Sequence, residues 1–153
     1  MGINVDYYVD NCEKTKFESN SFDIVYGTGI LHHLEFNKCL DEIHRILKLN
    51  GNLIFIEPLG TNPFINLYRK LTPKSRSRDE HPLIHKDFKY IKNKFIDTKI
   101  KYYGFLTLIF SPFYKLPNES KFFKLLAYFD QILFKLKIFR IFAWSVLITA
   151  KKN

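Results

Sequence analysis

The strongest periodicity in the chain runs from Phe36 to Leu47, where Phe36, Leu40, Ile43 and Leu47 recur at helical spacing with Ile46 beside them. Lys38, Asp41, Glu42 and Arg45 fall on the other side, the pattern of an amphipathic surface helix. Asn50 and Gly51 then predict a left-handed stop to that helix. The run Leu53-Ile54-Phe55-Ile56 does not alternate, which predicts a strand buried on both faces, as in a parallel sheet. With a shorter strand expected at Phe22–Tyr26, the order is strand, helix, turn, strand: a βαβ unit, whose crossover should be right-handed.

The pattern outside this unit is less regular. Residues Ile3–Val9 read as a short strand. Residues 59–88 hold Pro63, Pro73 and Pro82 together with Arg69, Arg76 and Arg78, and predict a lid-like insertion with a short helix at Phe64–Leu71. A helix at Lys86–Lys94 and a strand at Thr98–Leu108 should follow. Pro117-Asn118 offers a helix start with Asn118 as the cap. From Glu119 to Leu136, Lys121, Lys124, Gln131 and Lys135 share a narrow stripe, leaving Phe122, Leu125, Leu126, Phe129, Ile132 and Leu133 on a broad apolar side. That side is expected to be covered, chiefly by sheet. The run "FAWSVLITAKK" predicts a final strand.

Composition narrows the class of protein. At 153 residues and 46% hydrophobic content the chain suits one domain with a real core. Residues 1–60 carry five Lys/Arg against nine Asp/Glu, whereas residues 61–153 carry nineteen against six. The basic surplus of the second part can attract phosphate or an anionic membrane face, or be plain solvated charge. No helix-turn-helix, zinc-finger or RNA-binding pattern points to nucleic acid. Cys12 and Cys39 lack CxxC spacing, the N-terminus lacks a signal-peptide pattern, and no apolar run is long enough to span a bilayer, so a reducing cytoplasm is expected.

Three side chains lie where such a sheet gathers chemistry. His32 and His33 follow the first strand of the unit and Glu57 ends the second, at the carboxyl edge where open α/β sheets place ligands. A neutral imidazole there can take a proton from a substrate hydroxyl, with Glu57 orienting it. Equally, His33 can bond the loop and cap the helix, and Glu57 can be a paired loop carboxylate. Arg69 and Arg76 suit a phosphate or carboxylate on a substrate, or solvated charge. His81 reads as a lid contact, since Pro82 breaks the helical spacing to His85, and no metal is expected. Gly27-Thr28-Gly29 alone is a weak nucleotide signal.

The stretch "SFDIVYGTGILHHLE" followed by "LDEIHRILKLNGNLIFIEPLG" resembles the second half of a class I methyltransferase that uses S-adenosylmethionine. That family shows a strand of the form FDxV, a loop ending LHH, a helix ending RxLKPGG, and a strand ending in an acid and proline. Upstream, "INVDYYVDNCEKTKF" is similar to the family's third strand and adenine-binding turn; downstream, "EPLGTNPFINLYRKLTPKSRSRDEHPL" resembles bacterial small-molecule or glycan-associated members.

The resemblance implies an α/β, partial Rossmann-like class I methyltransferase sheet with flanking helices, lacking its first two strands. The glycine turn after strand one and the ribose-binding acid after strand two are then not encoded. Residues 1–153 would be a single partial domain: 1–58 the cofactor-side part, 59–88 the lid, 89–153 the substrate-side part. The Ile3–Val9 strand, losing its usual neighbour, should be poorly anchored or paired elsewhere.

For the site, the resemblance implies cofactor contacts from Asp10, Asn11, Cys12, Gly27 and Thr28, with Asn11 standing where the family places an adenine-binding Asp. His32, His33 and Glu57 would serve methyl transfer, and Arg69, Arg76 and His81 the substrate. The implied reaction is S-adenosylmethionine-dependent methylation, chiefly of oxygen, on a small molecule or a glycan or lipid-linked precursor, with a complementing N-terminal fragment as a further partner. The alternatives are an inactive remnant or interaction subunit of a split enzyme, or a basic module that contacts a membrane peripherally.

Overall fold

The computed structural model describes residues 4–73, 80–113 and 120–153. The elements are β1 (Phe22–Thr28), α1 (Phe36–Ile46), β2 (Leu47–Pro58), α2 (Pro63–Leu71), α3 (His85–Lys94), β3 (Ile96–Tyr103), α4 (Leu106–Phe110), α5 (Lys121–Leu133) and β4 (Ser145–Lys151). They build a four-stranded open sheet in the order β1-β2-β4-β3. β1 runs parallel to β2, and β4 lies antiparallel to both β2 and β3. The βαβ unit and the final strand are therefore present as expected.

Strand register sorts the sheet residues onto two faces. Leu53, Phe55 and Glu57 stand opposite Ala150, Ile148 and Val146, and these six are buried under α1 and α3. Leu40 and Ile43 of α1 join Phe88 and Ile91 of α3 in that core. The other face carries Ile24, Tyr26, Ile56 and Tyr103, all exposed. The expectation that β2 is buried on both faces is thus overturned: among the described residues, helices cover one face of it.

Four further expectations are corrected. Residues 4–10 form no strand, and Tyr7 and Val9 are almost fully exposed. Their alternation is real, but among the described residues no strand lies alongside to take their backbone hydrogen bonds. α1 ends at Ile46, because Leu47 already takes the extended backbone of β2; Asn50, though left-handed with φ 60°, sits inside the strand rather than at the helix stop. β3 ends at Tyr103, and Leu106–Phe110 is helix instead of strand. α5 begins at Lys121 with Ser120 as cap, its hydroxyl accepting the Phe123 N–H, while the expected cap Asn118 lies outside the described residues.

The cause of the early turn after β3 is Asp130 of α5. Its buried carboxyl group accepts the backbone N–H groups of Phe105, Leu106 and Thr107 and the Thr107 hydroxyl at 2.7–3.2 Å. It thereby satisfies the orphan donors of the α4 terminus. Asn62 does the same locally for α2, accepting from Phe64 and Ile65, with Pro63 in the first helical turn.

Candidate functional site

β1 and β2 end side by side, and the turn Leu31–His33 starts just beyond β1. Gly29 makes the turn possible: it sits at φ 60°, donates to Ile56 O, and an added Cβ there would meet only His32 Cε1, 3.8 Å away. Glu57, fully buried at the end of β2, receives the turn. Its Oε1 accepts the N–H groups of Ile30 and Leu31 at 3.0 and 2.9 Å, and its Oε2 lies 2.8 Å from His32 Nδ1. In the neutral ring, with Glu57 as acceptor, the proton lies on Nδ1 and Nε2 is left as the acceptor nitrogen.

His33 is exposed, its ring 4.0 Å from that of His32 between centroids. The later part of the 59–88 segment closes over the same turn: His81 N donates to His32 O at 2.6 Å, and Leu83 N donates to Pro58 O. The His81 side chain lies 3.3 Å from Asp87 Oδ2. With Glu35, Phe36, Asn37 and Tyr90 it lines a cavity of about 430 Å³ between the start of α1 and α3. Asp87 was not singled out in the sequence. Its position three residues after Ile84, whose N–H it accepts at a helix start, was the available signal.

A second cavity, of about 220 Å³, lies between β1, α1 and the segment around Cys12. Cys12, Gly27 and Thr28 line it together with Val25, Ile30 and Phe55. Its wall is braced by Glu42, which accepts from the backbone N–H and hydroxyl of Thr15 at 2.8 and 2.6 Å and from Arg45 at 2.6 Å. The Arg45 guanidinium, with help from Thr15, holds the Glu42 carboxyl down at about 2. Arg45 also donates to Phe17 O at 2.7 Å. Burial pushes the Cys39 thiol, in the same wall, up to about 12, so it stands there as an apolar thiol.

Asp10 and Asn11 do not line this cavity. Asp10 accepts from the N–H groups of Asn11 and Lys16, and Asn11 Oδ1 accepts from Glu13, so both shape their own turn. Arg69 lines neither cavity; it donates to Leu59 O and Asn66 Oδ1 at the base of α2. Arg76 lies outside the described residues.

The smaller cavity allows a test of the expected cofactor. Its apolar walls and the adjoining polar backbone of Gly27 and Thr28 fit a flat aromatic group such as a purine. Its volume is below the roughly 300–1,000 Å³ of sites that enclose a whole ligand. The residues present therefore fit one part of S-adenosylmethionine.

Residues 1–55 match the family described as Methyltransferase domain. Over 55 residues the chain is 38% identical to the ubiquinone/menaquinone biosynthesis C-methyltransferase UbiE of Hydrogenovibrio crunogenus, covering 35% of this chain and 22% of that protein. The chain thus spans about a fifth of that curated relative. Among solved structures, phosphoethanolamine N-methyltransferase 2 of Haemonchus contortus, in complex with S-adenosyl-L-methionine, aligns with 94% of this chain and 36% of its own at TM-score 0.56 and 20% identity.

Geranyl diphosphate C-methyltransferase of Streptomyces coelicolor, in complex with S-adenosyl-L-homocysteine, covers 95% of this chain and 50% of its own at TM-score 0.60 and 15% identity. These likenesses establish the fold. The resemblance read from the FDIV and LHH segments is borne out: residues 1–55 match the Methyltransferase domain family, and the described chain shares the α/β fold of the S-adenosylmethionine-dependent methyltransferases it aligns with.

Proposed function

We propose that this chain serves methyl transfer from S-adenosylmethionine to a hydroxyl oxygen of a small molecule or of a glycan or lipid-linked precursor. The observation that carries the reading is the His32–Glu57 pair at 2.8 Å, with Glu57 buried and its second oxygen engaged by two backbone N–H groups. A base so fixed presents Nε2 to an acceptor hydroxyl and takes its proton as the methyl leaves. When bound, S-adenosylmethionine supplies an electrophilic methyl group on a sulfonium. Cys12, Gly27 and Thr28 would hold its ring system, and His81, which lines the larger cavity, would contact the acceptor.

A donor already activated in this way needs chiefly alignment, so one base and two walls are enough chemistry for the chain to supply. The test combines calorimetry with S-adenosylhomocysteine and transfer of labelled methyl to a panel of hydroxylated acceptors. His32→Ala should lower transfer by about 10²–10⁴-fold while preserving the cofactor heat. Transfer unchanged in that variant would remove His32 as the base, and no heat at millimolar ligand would remove cofactor binding by the chain alone.

A second reading, in which a separate N-terminal fragment completes the cradle, is favoured by one observation. Among the described residues no strand pairs with the outer edge of β1. It predicts cofactor heat that appears only when such a fragment is co-expressed with the chain.

A further inference from the structure

α5 was expected to lose its apolar side under the sheet, and it does so only in part. Leu126 and Asp130 are buried and Phe134 follows them into the core. Phe122, Leu125, Phe129 and Ile132, with Leu136 in the turn that follows, repeat at spacings of three and four and remain between 40% (Ile132) and 58% (Leu136) exposed. One residue before each of three of these, at Lys121, Lys124 and Lys135, stands an exposed lysine. The helix surface therefore has three parallel stripes: one buried, one apolar and exposed, one cationic.

Two observations indicate what this surface meets. The apolar stripe does not end with the helix: Phe110 lies 6.1 Å from Phe122 between ring centroids, and the exposed Ile109 and Phe113 extend the patch beyond it. Acidic residues are also nearly excluded. From Thr98 to Asn153 the sequence has only Glu119, outside the described residues, and Asp130, which is turned inward to cap α4. An apolar stripe rich in Phe, Leu and Ile, bordered by lysines with no outward acid on the helix, matches the acyl and headgroup layers of an anionic bilayer surface. No helix among the described residues is long and apolar enough to cross a membrane, so the fit is to lying on the surface.

We propose that the α5 face docks this protein on anionic lipid surfaces, with Phe122, Leu125, Phe129 and Ile132 entering the interface and Lys121, Lys124 and Lys135 meeting lipid phosphates. The proposal is independent of the methyl-transfer reading, because it uses no residue of the His32 site. The experiment is co-sedimentation of the whole chain with phosphatidylcholine vesicles and with vesicles containing phosphatidylglycerol. Binding is expected with the anionic vesicles only, and should fall as salt is raised.

The triple variant K121E/K124E/K135E should weaken partitioning by about a hundredfold, at about fivefold or more for each lysine. K86E/K89E/K92E, which changes the net charge equally on exposed positions of α3, should retain most of the binding. Leu125→Ser with Phe129→Ser should also lose it, and because both residues are exposed their circular dichroism should match the parent. The proposal is overturned by a chain that stays in the supernatant at low salt, by equal loss in the two lysine triples, or by equal binding to neutral vesicles. It is overturned equally if the serine pair dissolves a dimer formed without lipid, which would make a second copy the occupant.

Discussion

α1 and α5 are both amphipathic, and the sequence shows a comparable apolar stripe in each, yet the protein treats them differently. α1 buries Phe36, Cys39, Leu40 and Ile43 in the core that also holds sheet and α3 residues, and Ile46 is buried as well. α5 buries Leu126 and Asp130 and leaves most of its large apolar side chains in solvent. Each also turns an acid inward. Glu42 draws in Arg45 and Thr15 to fasten the 10–17 segment, and Asp130 fastens the start of α4. Amphipathicity thus selects which side of a helix meets something apolar, while topology selects whether that something is the protein's own sheet.

The contrast can be broken most forcefully in α1. Leu40 is fully buried, and Leu40→Ala should cost about 2–5 kcal/mol of unfolding free energy in urea titrations. In α5 the matching large effect belongs to its acid, not to its leucines. Asp130→Ala leaves three backbone donors and a hydroxyl without their acceptor, and a loss of about 2–3 kcal/mol is expected, with amide exchange at Phe105–Thr107 speeding first.

Glu42→Gln should cost less, about 1–2 kcal/mol, since Thr15 keeps a neutral acceptor. Its pH signature sharpens the assignment. The Glu42 carboxyl is held at about 2 in the folded chain against 4.5 for the free group, so its contribution is complete above pH 4.5. That contribution is lost as pH falls through 4.5 toward 2. Unfolding measured between pH 6 and 2.5 should therefore show a steeper acid loss in the parent than in Glu42→Gln; identical slopes would remove Glu42 from the account. The smallest effect is expected at Leu125→Ser, within about 0.5 kcal/mol, because this exposed residue gives up little packing in solution.

What could be read beforehand follows the range of the interactions involved. α1, the β1–α1–β2 order and β4 rest on local periodicity and were visible in it. The limits of β3 were not, because the residue that ends it, Asp130, lies 25 positions from Phe105. Ile3–Val9 reads as strand by alternation, but a strand is a property of its neighbour as much as of its sequence. At the site, the placing of His32 and Glu57 on adjacent strand ends was legible from the βαβ order. The bracing of Cys12 through Thr15, Glu42 and Arg45 was not, since Glu42 counts as solvent-facing in the helical pattern and is buried only because an arginine and a loop close over it.

The wiring of Glu57 carries a consequence for how His32 behaves under substitution. Two of the three hydrogen bonds to this carboxyl group are backbone N–H groups that cannot reverse, so Glu57→Gln must keep its amide oxygen on Ile30 and Leu31 and turn its NH₂ toward the ring. His32 Nδ1 would then have to accept, and the ring proton would move to Nε2. An exchange that alters neither size nor shape would thus invert the polarity of the outer nitrogen, giving a hydrogen-bond donor where the native ring offers a lone pair. Nitrogen-15 shifts of the imidazole would record that inversion directly, with no acceptor molecule needed.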